Sequence, residues 1–514
     1  MKDINYQVLL PIFIYFIVIF IVGFYSMKFV NRAKNKHNGE KGFMDEYMTG
    51  GRDLGGFVLA MTLVTTYLSA GSFIGGPGTA YTQGLGWVFL SMAQMPTGYF
   101  TLAVLGKKFA IIARKINAVT ITDFLRARYK SDAVVILTSL SIVVFFIAAM
   151  AAQWVGAARL LQGAVGLDYK VALTAFGLTV IVHTVVGGFR AVTISDTIQG
   201  VIMTVATIAI FVGTVIAGGG ISNIVSNMQS VNEGLITPFG VTPGNMSIAW
   251  VTSFWILVGF AVVGIPSVSQ RAMSYKDTKS LHDGIKYGTI VSMILLLGMH
   301  LVGAFSSILV FGIESGDLVI PTITTQLFPP VIAGILLAGP LASIMSTVDS
   351  QLLVASGAIV NDIYTNYINP KIKKDAKKTG TISVLVTSTL GIIIYIVAIN
   401  PPDLIVWLNL YANAGIIATF LWPIVLGLYW KKANSSGALA SIITGIGTYI
   451  LFSYIWVKPL GMHTIVLPLI ISLLSFIIVS SFTKPPTNET IKIFGAFIKN
   501  KFKRGILLGV SFLN

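Results

Sequence analysis

Thirteen apolar runs, most of them 20 residues or longer, divide this chain of 514 residues. They lie at roughly 7–28, 56–81, 88–109, 133–162, 171–188, 193–217, 249–270, 285–311, 331–360, 380–399, 404–429, 436–456 and 462–483, numbered here as spans 1 to 13. A helix of about 20 apolar residues crosses the hydrocarbon core of a bilayer. Inside that core the backbone can pair its polar groups only in helices or closed barrels. The predicted fold class is therefore all-α: a polytopic membrane protein of about 13 transmembrane helices. Only 11% of residues are charged, against about a quarter in a soluble domain. The first run follows MKDINYQ without a small-residue cleavage site, so it reads as a retained span. The chain has no cysteine, which excludes disulfides, thiolate metal sites and cysteine nucleophiles.

A net charge of +16 raises the question of a nucleic-acid partner. The placement of the charges answers it. All but four of the 35 lysines and arginines fall in alternate gaps between the spans or in the C-terminal tail. The exceptions are Lys2, Arg159, Lys170 and Lys458. Basic residues accumulate on the cytoplasmic side of a membrane. The chain is thus expected in the plasma (inner) membrane, with its N-terminus outside and its C-terminus in the cytoplasm. No polyanionic partner is needed to explain the charge, and no obligate protein partner is evident.

Span 2 contains TTYLSAGSFIGGPG (65–78), in which four glycines and a proline interrupt an apolar helix. Alone, it could be a helix packed closely on its neighbours. Span 7 carries a second interruption in LVGFAVVGIPSVSQR, with Gly259, Gly264 and Pro266. Paired broken helices at matching places in two halves of a chain mark the binding sites of secondary transporters. The two lie five spans apart, and an odd separation inverts the second copy. The expected organisation is a peripheral span and cytoplasmic loop (1–55), a first inverted repeat (56–217) and an extracellular loop (218–248). A second repeat (249–430), peripheral spans 12 and 13 (431–483) and a basic tail (484–514) follow. The tail could lie on the anionic leaflet or be solvated.

Span 9 contains LASIMSTVDSQLL, where Ser343, Ser346, Thr347 and Ser350 recur at helical spacing. Each alone could bond back to the preceding turn. Together they could form an oxygen cage with the freed carbonyls of span 2. Asp349 is an acid within a span, which faces a pathway or a partner. Asp196, at the start of span 6, could pair with Arg190. His183 and His300 are expected to be hydrogen-bonded packing residues. Trp87, Trp407, Trp430 and Trp456 are read as interface anchors. No acid–base constellation, metal cluster or phosphate loop is present in the sequence, so the chain is not expected to be an enzyme.

SFIGGPGTAY, GGFRAVTISDTIQG, SQRAMSYKDTK, IMSTVDSQLL and LWPIVLGLYWKKANSSGAL together resemble the sodium:solute symporter family over residues 8–483. Within it, VLAMTLVTTYLSAGSFIGGPG, LGKKFAIIARKINAVT and SYKDTKSLHDG are most similar to members that carry pantothenate. The resemblance implies a LeuT-type core of two inverted five-helix repeats, with Na+ as the co-transported ion. It implies a sodium held by the carbonyls of Thr65, Leu68 and Ser343 and the hydroxyls of Ser346 and Thr347. A second sodium would involve Asp196, Asp349 and Ser350. Asp349 departs from the family's small or hydroxyl residue, and could strengthen that site or serve as a protonated hydrogen-bond partner. Substrate contacts map to Ser72, Ser91 and Gln94, with Phe73, Trp255 and Phe260 as candidate walls. Sugar-carrying relatives have an acid where Ser91 stands, and its absence suits an anionic substrate. The expected function is sodium-coupled import of a small organic anion such as pantothenate. Proline, another carboxylate or a sugar is the alternative cargo, and a transport-inactive sensor on the same fold is the alternative class.

Overall fold

The computed structural model describes residues 4–36, 48–242, 246–374, 376–400 and 405–495. Each of the thirteen apolar runs carries helix. Among the described residues, eight helices are long and apolar enough to cross a membrane singly, and two bent pairs bring the number to 10. Shorter apolar helices occupy Tyr169–Val185, Ile248–Gly264 and Val466–Phe482. Spans 5 and 6 meet at a sharp turn where Gly188 adopts φ 59 and ψ −167, a conformation closed to residues with a Cβ.

Span 9 lies at the centre, with 83% of its apolar window buried, whereas spans 1 and 12 each have 28% buried. The outward faces carry large apolar side chains such as Leu178, Val205 and Ile396, each 60% exposed or more. In water such a surface would drive aggregation; here it is the face presented to lipid. No β-strand occurs among the described residues.

Span 2 breaks at Leu68–Ser69 between the helix Gly56–Tyr67 and the segment Gly71–Gln83, with a bend of 71°. Span 7 runs from Ile248 through a wider, then a tighter, helical turn to Gly264, is extended at Ile265, and resumes as Pro266–Arg271. Pro266 lacks an N–H and disfavours helical geometry at Ile265, so the interruption falls where the sequence placed it. Span 3 also bends, by 48°, between Leu85–Val104 and Gly106–Lys115.

Between spans 6 and 7 the chain forms a helix, Ile221–Val231, and a short turn, Glu233–Ile236. This segment seats against Gly84 (φ 68), where a Cβ would lie 2.1 Å from the Leu235 carbonyl oxygen. The first residues of the basic tail form a helix over 488–495. Phe494 is buried there, 5.6 Å from the Phe124 ring, and Glu489 pairs with Lys130 at 2.6 Å. This part of the tail docks on protein, and the remainder lies outside the described residues.

In the gap between spans 8 and 9, Asp317 is fully buried and accepts the Ile405 N–H at 3.4 Å. Burial pushes its carboxyl up to about 6 from the ordinary 3.8. The folded state therefore favours the protonated form. That contribution to stability is complete below the ordinary value and is lost as pH rises through the raised one. Asp317→Asn should flatten the dependence of melting temperature on pH between about 4 and 7, measured on purified protein in detergent.

Candidate ion site and substrate cavity

The break in span 2 frees the carbonyls of Thr65 and Leu68, and span 9 meets them. The Ser346 hydroxyl lies 2.9 Å from the Thr65 carbonyl oxygen and 3.0 Å from that of Ser343. The Thr347 hydroxyl lies 3.3 Å from the Thr65 carbonyl, 3.0 Å from that of Leu68 and 3.0 Å from that of Ser343. The Ser343 hydroxyl donates to the Leu68 carbonyl at 2.9 Å. All five residues are at most 2% exposed. Three carbonyls and three hydroxyls thus converge, and only three hydrogens are available among them. Each hydroxyl donates once, so some of these close contacts are oxygen against oxygen. A cation at their centre relieves that crowding, and neutral oxygens at several points are what a dehydrated alkali ion requires. The five residues that the sequence assigned to the first sodium are brought together. Ser343 offers its hydroxyl as well as its carbonyl.

The rest of the broken backbone is satisfied by side chains the sequence reading passed over. The Ala70 N–H donates to Gln153 Oε1 at 2.7 Å, and Gln153 Nε2 donates to Asn409 Oδ1 at 3.1 Å. Asn409 Nδ2 reaches the Ser69 hydroxyl at 3.3 Å, and Asn413 Nδ2 reaches Asn409 Oδ1 at 3.3 Å. Asn409 and Asn413, four residues apart in an apolar span, were a legible sign of a polar stripe.

The three residues assigned to a second sodium are each held by other side chains. Asp196 accepts the Thr62 hydroxyl and lies 3.5 Å from Arg271 Nη2. The same nitrogen donates to the Ser350 hydroxyl. The cation beside Asp196 is therefore Arg271, from the broken span 7, rather than Arg190, which the sequence offered as one possible partner. Asp349 accepts the Thr184 hydroxyl at 2.7 Å and lies 2.8 Å from His183 Nδ1, and it is close enough to Asp196 for the two carboxyls to interact electrostatically. Each acid thus has a buried hydroxyl or basic side chain beside it, as burial of charge demands, while Asp196 Oδ1 has no hydrogen-bond partner among the described residues.

A cleft of about 680 Å³ lies between the two broken spans, part of it open to solvent. Ser72, Ser91 and Gln94 line it, as expected. Phe73, Trp255 and Phe260 do not. Phe73 is buried in the core at 1% exposure, Trp255 is 45% exposed on the outer face, and Phe260 stacks on Phe100 at 6.2 Å. Helical rotation explains Trp255: its neighbours Phe254, Leu257 and Val258 face the cleft, which turns Trp255 away. The aromatic walls are Trp87 and Phe254, with ring centroids 6.0 Å apart. Trp87 is thus a buried lining residue, not an interface anchor, and Trp407 stacks on it at 5.8 Å. His300 lines the cleft too, its Nδ1 2.8 Å from the Leu296 carbonyl oxygen. Among the described residues, no Lys, Arg, Asp or Glu faces this space. Hydroxyls and side-chain amides supply its polar groups, because the N–H groups of Ala70, Gly71, Ser72 and Phe73 are already bonded to Gln153 and Ser69.

Two helix breaks, a buried cage of neutral oxygens and a cleft lined by residues of both broken spans define an ion-coupled secondary transporter. Its LeuT-type fold is shared with two solved transporters. A Na+-coupled sialic acid symporter, solved substrate-bound and outward-open, superposes with a TM-score of 0.76 at 21% identity, covering 94% of this chain and 100% of that one. Mhp1, a nucleobase-cation-symport-1 family transporter, gives 0.53 at 12% identity, covering 87% and 98%.

The chain belongs to the sodium:solute symporter family, whose pattern matches residues 47–445. It is 44% identical over 474 residues to the sodium/pantothenate symporter of Haemophilus influenzae, covering 92% of this chain and 96% of that protein. It is 45% identical over 485 residues to the one of Escherichia coli K12, covering 94% and 98%. The osmoregulated proline transporter OpuE of Bacillus subtilis is 30% identical over 506 residues, covering 96% and 98%.

Proposed function

We propose that the chain imports pantothenate, or a closely similar small organic anion, together with sodium across the inner membrane. The observation that carries the coupling ion is the convergence of three carbonyls and three hydroxyls between spans 2 and 9. The cargo reading is supported by the pantothenate-carrying relatives above 40% identity. It is also supported by a cleft that offers hydroxyls and amides, which suit the alcohol and amide groups of pantothenate.

In this reading the N-terminus faces outward and the basic gaps face the cytoplasm. The two repeats occupy residues 56–217 and 249–430. Sodium draws span 9 against the break in span 2 and favours the outward, substrate-ready state. Substrate closes the outer side, and the repeats rock to release both inward. Each ligand drives the change only through its differential affinity for the two states. Thr65, Leu68, Ser343, Ser346 and Thr347 hold the ion. Ser72, Ser91, Gln94 and the missed Asn409 and Asn413 contact the cargo.

Labelled pantothenate taken up into membrane vesicles under an inward sodium gradient, against an equal potassium gradient, tests the proposal. Concentrative uptake with sodium alone is expected, and unlabelled pantothenate should compete better than proline. Equal uptake under both gradients would remove the sodium assignment, and better competition by proline would replace the cargo.

A further effect is expected at Gly76. A Cβ there would lie 2.4 Å from His300 Nε2 and 2.7 Å from the Gly71 carbonyl oxygen. Gly76→Ala must displace His300 or the turn at Gly71, both of which line the cleft. The KM for cargo should rise roughly tenfold or more, with the sodium requirement changed far less, as measured by varying each in turn in the vesicle assay.

A further inference from the structure

We infer that the short helix Pro266–Arg271, the cytoplasmic half of span 7, couples occupancy of the ion site to closure of the inner side of the protein. The inference rests on the sodium-symport reading and orientation proposed above. Adjacent residues of this helix face two different parts of the molecule. Arg271 faces the ion-site helices. Its Nε lies 3.4 Å from the Thr62 hydroxyl, and its Nη2 donates to the Ser350 hydroxyl and pairs with Asp196. Thr62 is three residues before Thr65 and Ser350 three after Thr347, so each sits about one helical turn from an ion-site oxygen. Arg271 therefore spans the same two helices that the ion draws together. It is fully buried, and a guanidinium keeps its charge and its fork of donors through the cycle.

Gln270 faces the loop that closes the inner side. Its Nε2 donates to the carbonyl of Met48 and lies 3.4 Å from that of Val119. The same loop is bonded to the end of span 7 by Leu54 N–H to the Ser274 carbonyl at 3.1 Å and Lys276 N–H to the Leu54 carbonyl at 3.0 Å. Met48 and Thr49 are 2% and 0% exposed, so the loop is packed down over this surface. A second contact joins the two faces. The Arg271 guanidinium lies over the Phe189 ring at 5.1 Å, and Gly50 of the loop sits against the same ring, where a Cβ would be 3.4 Å away.

When the ion leaves, spans 2 and 9 are free to separate. Arg271 cannot then keep both Thr62 and Ser350, and a shift of its helix moves Gln270 off the Met48 and Val119 carbonyls. Such coupling is reciprocal: whatever sodium adds to closure, closure adds to sodium affinity. Gln270 and Arg271 are thus positioning residues and touch neither ion nor cargo.

The absence of native cysteine makes the test direct. Thr122, 1% exposed, lies with Gln270 and Met48 around a small cavity beneath the loop. In the full chain carrying Thr122→Cys, alkylation by a membrane-impermeant maleimide is followed in inside-out vesicles with and without sodium. Sodium should slow alkylation roughly tenfold. Adding Gln270→Leu should reduce that protection to less than about twofold, with sodium still raising the melting temperature of the purified chain. Arg271→Lys, which keeps a cation beside Asp196 but loses the fork, should have the same effect. Full sodium protection in both variants overturns the inference, as does sodium-driven uptake with no sodium effect on the cysteine. Loss of sodium-driven uptake in the unsubstituted chain overturns the symport reading instead.

Discussion

Alanine at both Ser346 and Thr347 is expected to raise the sodium concentration for half-maximal uptake by roughly 100-fold. Each hydroxyl contributes an oxygen to a site that has no carboxylate among its six converging oxygens. A hydrogen-bonding group facing a charge contributes about 1.5–3 kcal/mol, and two such losses act on one ion. The cargo KM measured at saturating sodium should change little, because neither side chain lines the cleft. Single substitutions should give smaller effects, Thr347 the larger, since its hydroxyl approaches three carbonyls and that of Ser346 only two. An unchanged sodium dependence in the double variant would move the ion elsewhere.

The second large effect is on folding. Arg271→Met leaves Asp196 buried with the Thr62 hydroxyl as its remaining partner and no cation beside it. Removing one member of a buried ion pair costs about 3–5 kcal/mol, comparable with a sizeable part of the total stability of many proteins. The variant should reach the membrane in much reduced amount and lose its monodisperse peak after mild heating in detergent. Asp196→Asn in the same chain should restore a good part of it, because the uncompensated charge is then gone. A single variant as heat-resistant as the parent would show that Arg271 contributes little to the fold. The rescued double variant also separates stability from coupling, since it retains neither the ion pair nor the bridge to Ser350.

Both helix breaks were legible because they have a local cause. Glycine and proline alter what a backbone can do wherever they stand, so 65–78 and 259–266 announced themselves. The hydroxyls of span 9 were legible because helical spacing puts them on one face. The partners of the buried acids were not, since neighbours in space need not be neighbours along the chain. Arg190 is six residues from Asp196, whereas Arg271 comes from span 7, 75 residues along the chain. The aromatic walls failed for a related reason. Composition said that span 7 has aromatics near its break, but only the rotation of the helix decides that Phe254 faces the cleft and Trp255 faces out. The amides of Gln153, Asn409 and Asn413 stand in otherwise apolar runs. They could have been flagged by the same cost argument applied to Asp349.

Three of the six oxygens around the proposed ion site belong to the main chain, those of Thr65, Leu68 and Ser343. No codon change deletes a peptide carbonyl. Residues 65 and 68 are therefore free to drift in identity while their contribution persists, and a survey of side chains would rank both as unimportant. Heritable change in ion preference is confined to the three hydroxyl positions, or to mutations that rewind the break and abolish the site outright.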